Sequence, residues 1–218
     1  PAMPKPATQP QQLDEEIAAL QALMKTIDRE HPIGHWLWKS AWSYLVAARM
    51  LEKIGTPGFT ECSTLLYGRP DMKYKAQGDL TAADAAADML DTTDKLIDTR
   101  LLPQVPCALT AGQFAERIRE RIQPFFTDDQ VMLVLDPNLA SKAAAGSKKI
   151  TIRSTAMFSE LDVEQLVQHE AFIHTATLLN GKHQPYLKTL GVGTPRTTRT
   201  QEGLATFSEI VTGAIDIN

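Results

Sequence analysis

Apolar side chains recur at three- and four-residue intervals through the first half of the chain, and this spacing predicts helices. One is predicted from Leu13 to Asp28 and a second from Ile33 to Ile54, where the run GTPG stops it. FTECSTLLYGRP reads as a short helix closed by Gly68 and Pro70. The alanine-rich TAADAAADMLDTTDKLIDTRLL predicts a further helix ended by Pro103 and Pro106, and residues 111–123 predict another. The pattern changes at Asp129. QVMLVLDP and KKITIRST are short, β-branched and bounded by turn formers, so they predict two strands joined by the loop NLASKAAAGS. FSELDVEQLVQHEAFIHTATLLNG then returns to helical spacing. Ser159 and Asp162 stand at capping distance at its start, and Asn180-Gly181 is its expected stop. A loop over residues 181–197 leads to a last helix beginning near Thr198. The expected fold is α+β and predominantly helical, with a small antiparallel sheet beside the long helix.

Composition narrows the class. The chain has 218 residues, 43% of them hydrophobic and 22% charged, which suits one soluble domain over residues 11–218. A net charge of −4 argues against nucleic acid as a partner. No apolar run is long enough to span a membrane, and no signal-peptide pattern opens the chain. Cys62 and Cys107 have neither metal spacing nor a disulfide framework around them, so the expected setting is reducing and cytoplasmic. Residues 1–10, PAMPKPATQP, are expected to be a disordered tail or a remnant foreign to the fold. The chain ends at AIDIN without a helix terminator, which leaves room for truncation. Oligomeric state is open.

The heptapeptide QHEAFIH, residues 168–174, brings in chemistry. His-Glu opens the zinc signature H-E-x-x-H, but the second histidine comes one residue late. On a regular α-helix, residues five apart point roughly 140° apart, so His169 and His174 could not share an ion. A π-bulge removes the conflict by adding a residue to one turn, and such bulges recur at functional sites. A widened turn is therefore expected around Ala171–Ile173; the plainer alternative is two unrelated histidines on a regular helix. A catalytic zinc wants three protein ligands and an open position. His183, Glu202 and Glu209 are candidates for the third. His183 misses the metzincin spacing. Thr198 and Gln201 have capping-box spacing, which gives Gln201 a structural role and leaves Glu202 free to point inward. Gly203 is expected to let that helix pack closely. Glu202 is also an ordinary first-turn acid favoured by the helix dipole.

HEAFIH, TATLLNGKHQP and TTRTQEGLATFSE, in this order, resemble the QEGLA-motif family, named in bacteria for flavohaemoglobin expression modulation. That family is similar to the microtubule-associated tyrosine carboxypeptidases of animals. LYGRP and KKITIRSTAMFS fit as well, so the resemblance covers roughly residues 33–213. It implies a gluzincin-like metallopeptidase holding one Zn²⁺ per chain. On that likeness His169, His174 and Glu202 are the metal ligands and Glu170 is the general base. Thermolysin-like sequences carry an aspartate four residues after the zinc glutamate. Here that position is Thr206, so the partner that orients a ligand must come from elsewhere, and Glu209 is the suggested one.

In such a site Glu170 would take a proton from the attacking water and pass it to the leaving amine. Tyr186, in the loop between the ligand helices, is the candidate donor to the developing oxyanion, although a packed loop aromatic is the more ordinary role. Lys182, Lys188, Arg196 and Arg199 fall in a stretch without acids, and Lys148, Lys149 and Arg153 precede it. Lys182, Arg196, Arg199 and Arg153 are the candidates for binding an anionic substrate group. Each is an ordinary solvated charge when taken alone. The implied partner is a peptide or protein C-terminus, and KKITIRST is expected to pair with it by edge addition. Two other readings stand beside this one: a regulatory protein that keeps its metal for structure, and an amidase acting on a non-peptide substrate. GVGTPR lacks the last glycine of a dinucleotide fingerprint, and AAAGSKK lacks phosphate-loop spacing. His31 and His35 read as capping or surface residues, and Trp36, Trp38 and Trp42 as core.

Overall fold

The computed structural model describes residues 10–73, 78–98, 105–127 and 130–215. The tail expected over residues 1–10 lies outside the described residues up to residue 9, as does the end of the alanine-rich helix over residues 99–104. The described residues pack as two compact units, one within residues 1–89 and 194–199, the other within residues 90–193 and 200–218.

In the first unit, α1 (Pro10–Thr26) packs on α2 (Pro32–Glu52), and α2 packs on α3 (Pro57–Tyr67). Ala41, Leu45 and Val46 on α2 are buried there. Proline at the first helical position, where no N–H partner is needed, opens α2 and α3. His31 caps α2 as expected, its Nδ1 accepting the Ile33 N–H at 3.2 Å. Trp36, Trp38 and Trp42 are half-buried, and Arg29 lies 4.2 Å over the Trp38 ring. The next helix, α4, spans Ala82–Asp98.

The second unit holds the sheet and its helices. A short antiparallel pair joins β1 (Leu109–Thr110) to β5 (Met157–Phe158). Helix α5 (Ala111–Ile122) follows β1, opened by a capping box between Thr110 and Gln113. The main sheet has the order β2-β4-β3, with β2 at Met132–Asp136, β3 at Ala143–Ala145 and β4 at Lys149–Arg153. Strand β3 is antiparallel to β4, with Ala145 opposite Ile150, as a small antiparallel sheet requires. The two strands expected from the sequence, β2 and β4, are parallel instead, with Leu133 opposite Ile150. Parallel neighbours need a crossover. Residues 137–148 supply it, and part of this expected loop is β3.

Ile150 and Ile152 alternate inward from β4 and meet Phe114 and Ile118 of α5 in one core. Phe158 stacks on Phe114 with ring centroids 3.9 Å apart, and neither ring is exposed. Phe158→Ala is expected to cost about 3–5 kcal/mol, because both transfer energy and a cavity are lost. Denaturant unfolding of the variant checks this, and a loss under about 1 kcal/mol would contradict the packing described. Among the described residues, no helix is long and apolar enough to cross a membrane.

Candidate metal centre

The long helix predicted after the sheet is built in three pieces: α6 (Glu160–Leu166), a π-helix (Val167–Thr175) and α7 (Ala176–His183). A Ser159–Asp162 capping box opens α6 as expected. The π-helical stretch covers nine residues, so it extends on both sides of the Ala171–Ile173 turn where widening was expected. It is fastened on the sheet side. The fully buried Thr175 hydroxyl donates to the Gly146 carbonyl at 3.1 Å, just past β3. Lys142, just before β3, donates to both carboxylate oxygens of the buried Asp162 at 2.8 and 3.0 Å. These two tethers hold an alanine strand with little β-propensity of its own against the helix.

The widened coil brings residues five apart onto one side. The rings of His169 and His174 lie 4.8 Å apart at 76°. From α8 (Pro195–Thr212), Glu202 reaches both. Its Oε2 is 3.3 Å from His169 Nε2, and its Oε1 is 3.6 Å from His174 Nε2. One ligand atom from each of the three falls within 4.8 Å of the others. Ligands about 2.1 Å from a tetrahedral zinc ion stand roughly 3.4 Å apart, so this donor set fits zinc. The histidines are largely buried, whereas the Glu202 side chain is 56% exposed, so the cluster opens to solvent on the Glu202 side.

Glu170 lies between the two histidines in sequence and is only 8% exposed. Burial raises its pKa above the usual glutamate value. His169 and His174 pull it down, Glu202 pushes it up, and a hydrogen bond from the Ala145 N–H pulls it down again. The net direction is upward. A carboxyl group so placed gains a proton more readily than a solvated one.

The sequence profile of the microtubule-associated tyrosine carboxypeptidase family matches residues 1–218. The chain belongs to that family. No curated protein and no solved structure matches it. The family takes its name from carboxypeptidase activity on tyrosine, so this member is of carboxypeptidase type.

The other residues singled out in this tyrosine carboxypeptidase family member are placed less uniformly. Glu209, the suggested orienting residue, is 2.6 Å from His169 Nδ1 through its Oε1. Gln201 caps nothing, because α8 begins at Pro195, a turn earlier than expected. Instead its Oε1 faces His174 Nδ1 at 3.5 Å. Gly203 has no neighbour where a Cβ would stand, so it is not what brings α8 close; Ala205, fully buried, is the small residue on that face. Gly181 does not end α7, which runs two residues further. A Cβ there would meet the backbone of Leu190 and Gly191 at 2.4 Å, so glycine is needed for the close approach of the 3₁₀ turn Lys188–Gly191.

Tyr186 is 93% exposed, with its phenol in solvent instead of lining the ligand cluster. His183 ends α7 on the surface and is not in the cluster. The Arg153 guanidinium donates to the Ala140 carbonyl at 2.9 Å and so braces the crossover. Lys182 donates to the Ser147 hydroxyl in the β3–β4 turn. Arg196 and Arg199 lie on the first turns of α8, within the first unit, so the expected cationic loop is divided among several elements. Gln165, Gln168 and β3 escaped notice in the sequence. The two glutamines sit at ordinary helical positions, and Ala-Ala-Ala carries no strand signal. The early start of α8 was readable, because Thr194-Pro195 is the pairing of polar residue and proline that also opens α3 at Thr56-Pro57.

Proposed function

We propose that this chain is a zinc-dependent carboxypeptidase that removes a tyrosine-like C-terminal residue from a peptide or protein. One observation carries the reading: His169 and His174, five residues apart on a π-helix, converge with Glu202 of α8 and leave a face open to solvent. A structural zinc site closes with four protein ligands, whereas the described residues supply three here.

Zinc held by His169, His174 and Glu202 would polarise the scissile carbonyl and acidify a water molecule. The Glu170 carboxylate accepts the proton released as that water attacks, and gives it to the departing amine. Its burial favours holding the proton between the two events. The Ala145 N–H faces the carboxylate from β3. Strand β4 has neighbours on both sides, so edge addition by an extended substrate, expected there from the sequence, moves to an outer strand of the sheet. Strand β3 is the outer strand whose Ala145 meets Glu170. Lys182 and Lys148, beside the β3–β4 turn, are the cations suited to an anionic terminus.

The test is a set of zinc-loaded assays on peptides of one body that differ only at the last residue, with a C-terminal amide as control. Release of terminal tyrosine from the free acid, and none from the amide, is the expected result. Failure to release a residue from any free-acid peptide, with zinc uptake verified, would remove the assignment.

A further inference from the structure

We infer that Glu209 is a positioning residue: held by Gln165, its carboxylate sets the tautomer of His169 that leaves Nε2 free to bind metal. This inference rests on the zinc site proposed above. Glu209 lies two turns beyond Glu202 on α8 and is only 5% exposed. Its Oε1 is 2.6 Å from His169 Nδ1, and its Oε2 accepts from Gln165 Nε2 at 2.9 Å. An ionised carboxylate only accepts hydrogen bonds. A neutral His169 facing it must therefore carry its proton on Nδ1, which puts the lone pair on Nε2, the atom that faces Glu202. The opposite tautomer would set a lone pair against the carboxylate and block the metal position with an N–H.

The two imidazoles are not backed alike. His174 Nδ1 faces the neutral amide oxygen of Gln201, and at 3.5 Å the contact is long. A carboxylate partner raises the basicity of its imidazole more than an amide does, so His169 is the better-anchored ligand. Gln165 matters because it occupies the other carboxylate oxygen and stops Glu209 from turning. Ser208, next to Glu209, donates to Gln168 Oε1 at 3.2 Å, a second link between α8 and the π-helix. A single helix, α8, thus supplies a metal ligand and the groups behind both histidines.

The experiment measures zinc affinity by competition with a calibrated chelator, without recourse to turnover. Glu209→Gln is expected to weaken zinc binding about 10–100-fold. The new amide can turn either its N–H or its C=O toward His169, so the tautomer is no longer dictated. Adding Gln165→Glu to that variant places an obligate acceptor opposite the new amide. Its N–H₂ is then drawn to position 165 and its C=O to His169 Nδ1. The double variant is therefore expected to bind zinc more tightly than the single one, a rescue that loss of packing alone would not produce. Imidazole ¹⁵N shifts of the metal-free proteins, followed over a range of pH, read the tautomer of the neutral ring directly. They should report the Nδ1–H form in the wild type and in the double variant, and a mixture in the single variant. If Glu209→Gln fails to fold, Gln165→Leu decides: its zinc affinity is expected to fall several-fold, and no change overturns the inference. Equal affinity for zinc in wild type and Glu209→Gln, or a double variant no tighter than the single, also overturns it while leaving the zinc site standing. A wild-type chain that takes up no zinc removes the site and this inference together.

Discussion

Glu170→Gln is expected to lower kcat by about 10²–10⁴ while zinc is retained, because on the proposed mechanism a general base is lost and no ligand is. The amide keeps the shape of the carboxyl group and can still accept the Ala145 N–H, so the fold around it has no cause to change. Stability should move the other way. Burial raises the folded-state pKa of Glu170 above its unfolded value. Stability from the bound proton is therefore fully present at low pH and is lost as pH rises through the folded value. In the metal-free protein, ionising this poorly solvated carboxyl group carries a cost. The uncharged amide relieves that cost. The metal-free variant should then melt at or above the wild-type temperature at neutral pH, and the difference should shrink as pH falls toward the ordinary glutamate range. Metal content, kcat and paired thermal melts check the three parts. Unimpaired turnover in this variant would exclude Glu170 as the base.

Stripping the metal with a chelator is expected to abolish turnover and to lower Tm, with both restored by zinc. Magnesium should restore neither, because two imidazoles and one carboxylate suit a borderline ion better than a hard one that wants oxygen and water. At free zinc about 1,000-fold above Kd, binding to the folded state alone stabilises it by about 4.1 kcal/mol. Losing that much should be plain in a thermal melt. The stabilisation belongs to the unit formed by residues 90–193 and 200–218, which contains all three ligands. Calorimetry with and without chelator measures it, alongside elemental analysis. Full activity in protein shown to be free of metal would end the zinc assignment.

Legibility differed from element to element for physical reasons. The helices announced themselves because their periodicity and caps are local. His31 before Pro32 and the Ser159–Asp162 box each act within a few residues, so reading them needs no knowledge of the rest of the chain. The spacing of His169 and His174 demanded a widened coil, since only such a coil puts them on one side. Strand β3 is hidden in the sequence because three alanines and a glycine have no strand preference. What orders them are Lys142 on Asp162 and Thr175 on Gly146, contacts to residues 20 and 29 positions away in sequence. The wrong relative direction of β2 and β4 follows from the same omission, because a loop without β3 looks like the connection of a hairpin. Thr198 and Gln201 mimic a capping box although α8 begins at Pro195, and the place of Tyr186 in the sequence does not show which way its side chain points.

By itself, the sequence determined which residues could form a metal site and that the helix carrying two of them must depart from α geometry if both are to share an ion. Those conclusions rest on residue chemistry and on angles between neighbours along one chain. Only the tertiary structure decided that Glu202 meets both imidazoles, that Glu209 stands behind one of them, and that an alanine strand lies beside Glu170. Those facts depend on how α8 and the sheet settle around a shared core. Packing of that kind is settled by the sum of many contacts between distant residues, and no short stretch of sequence contains it.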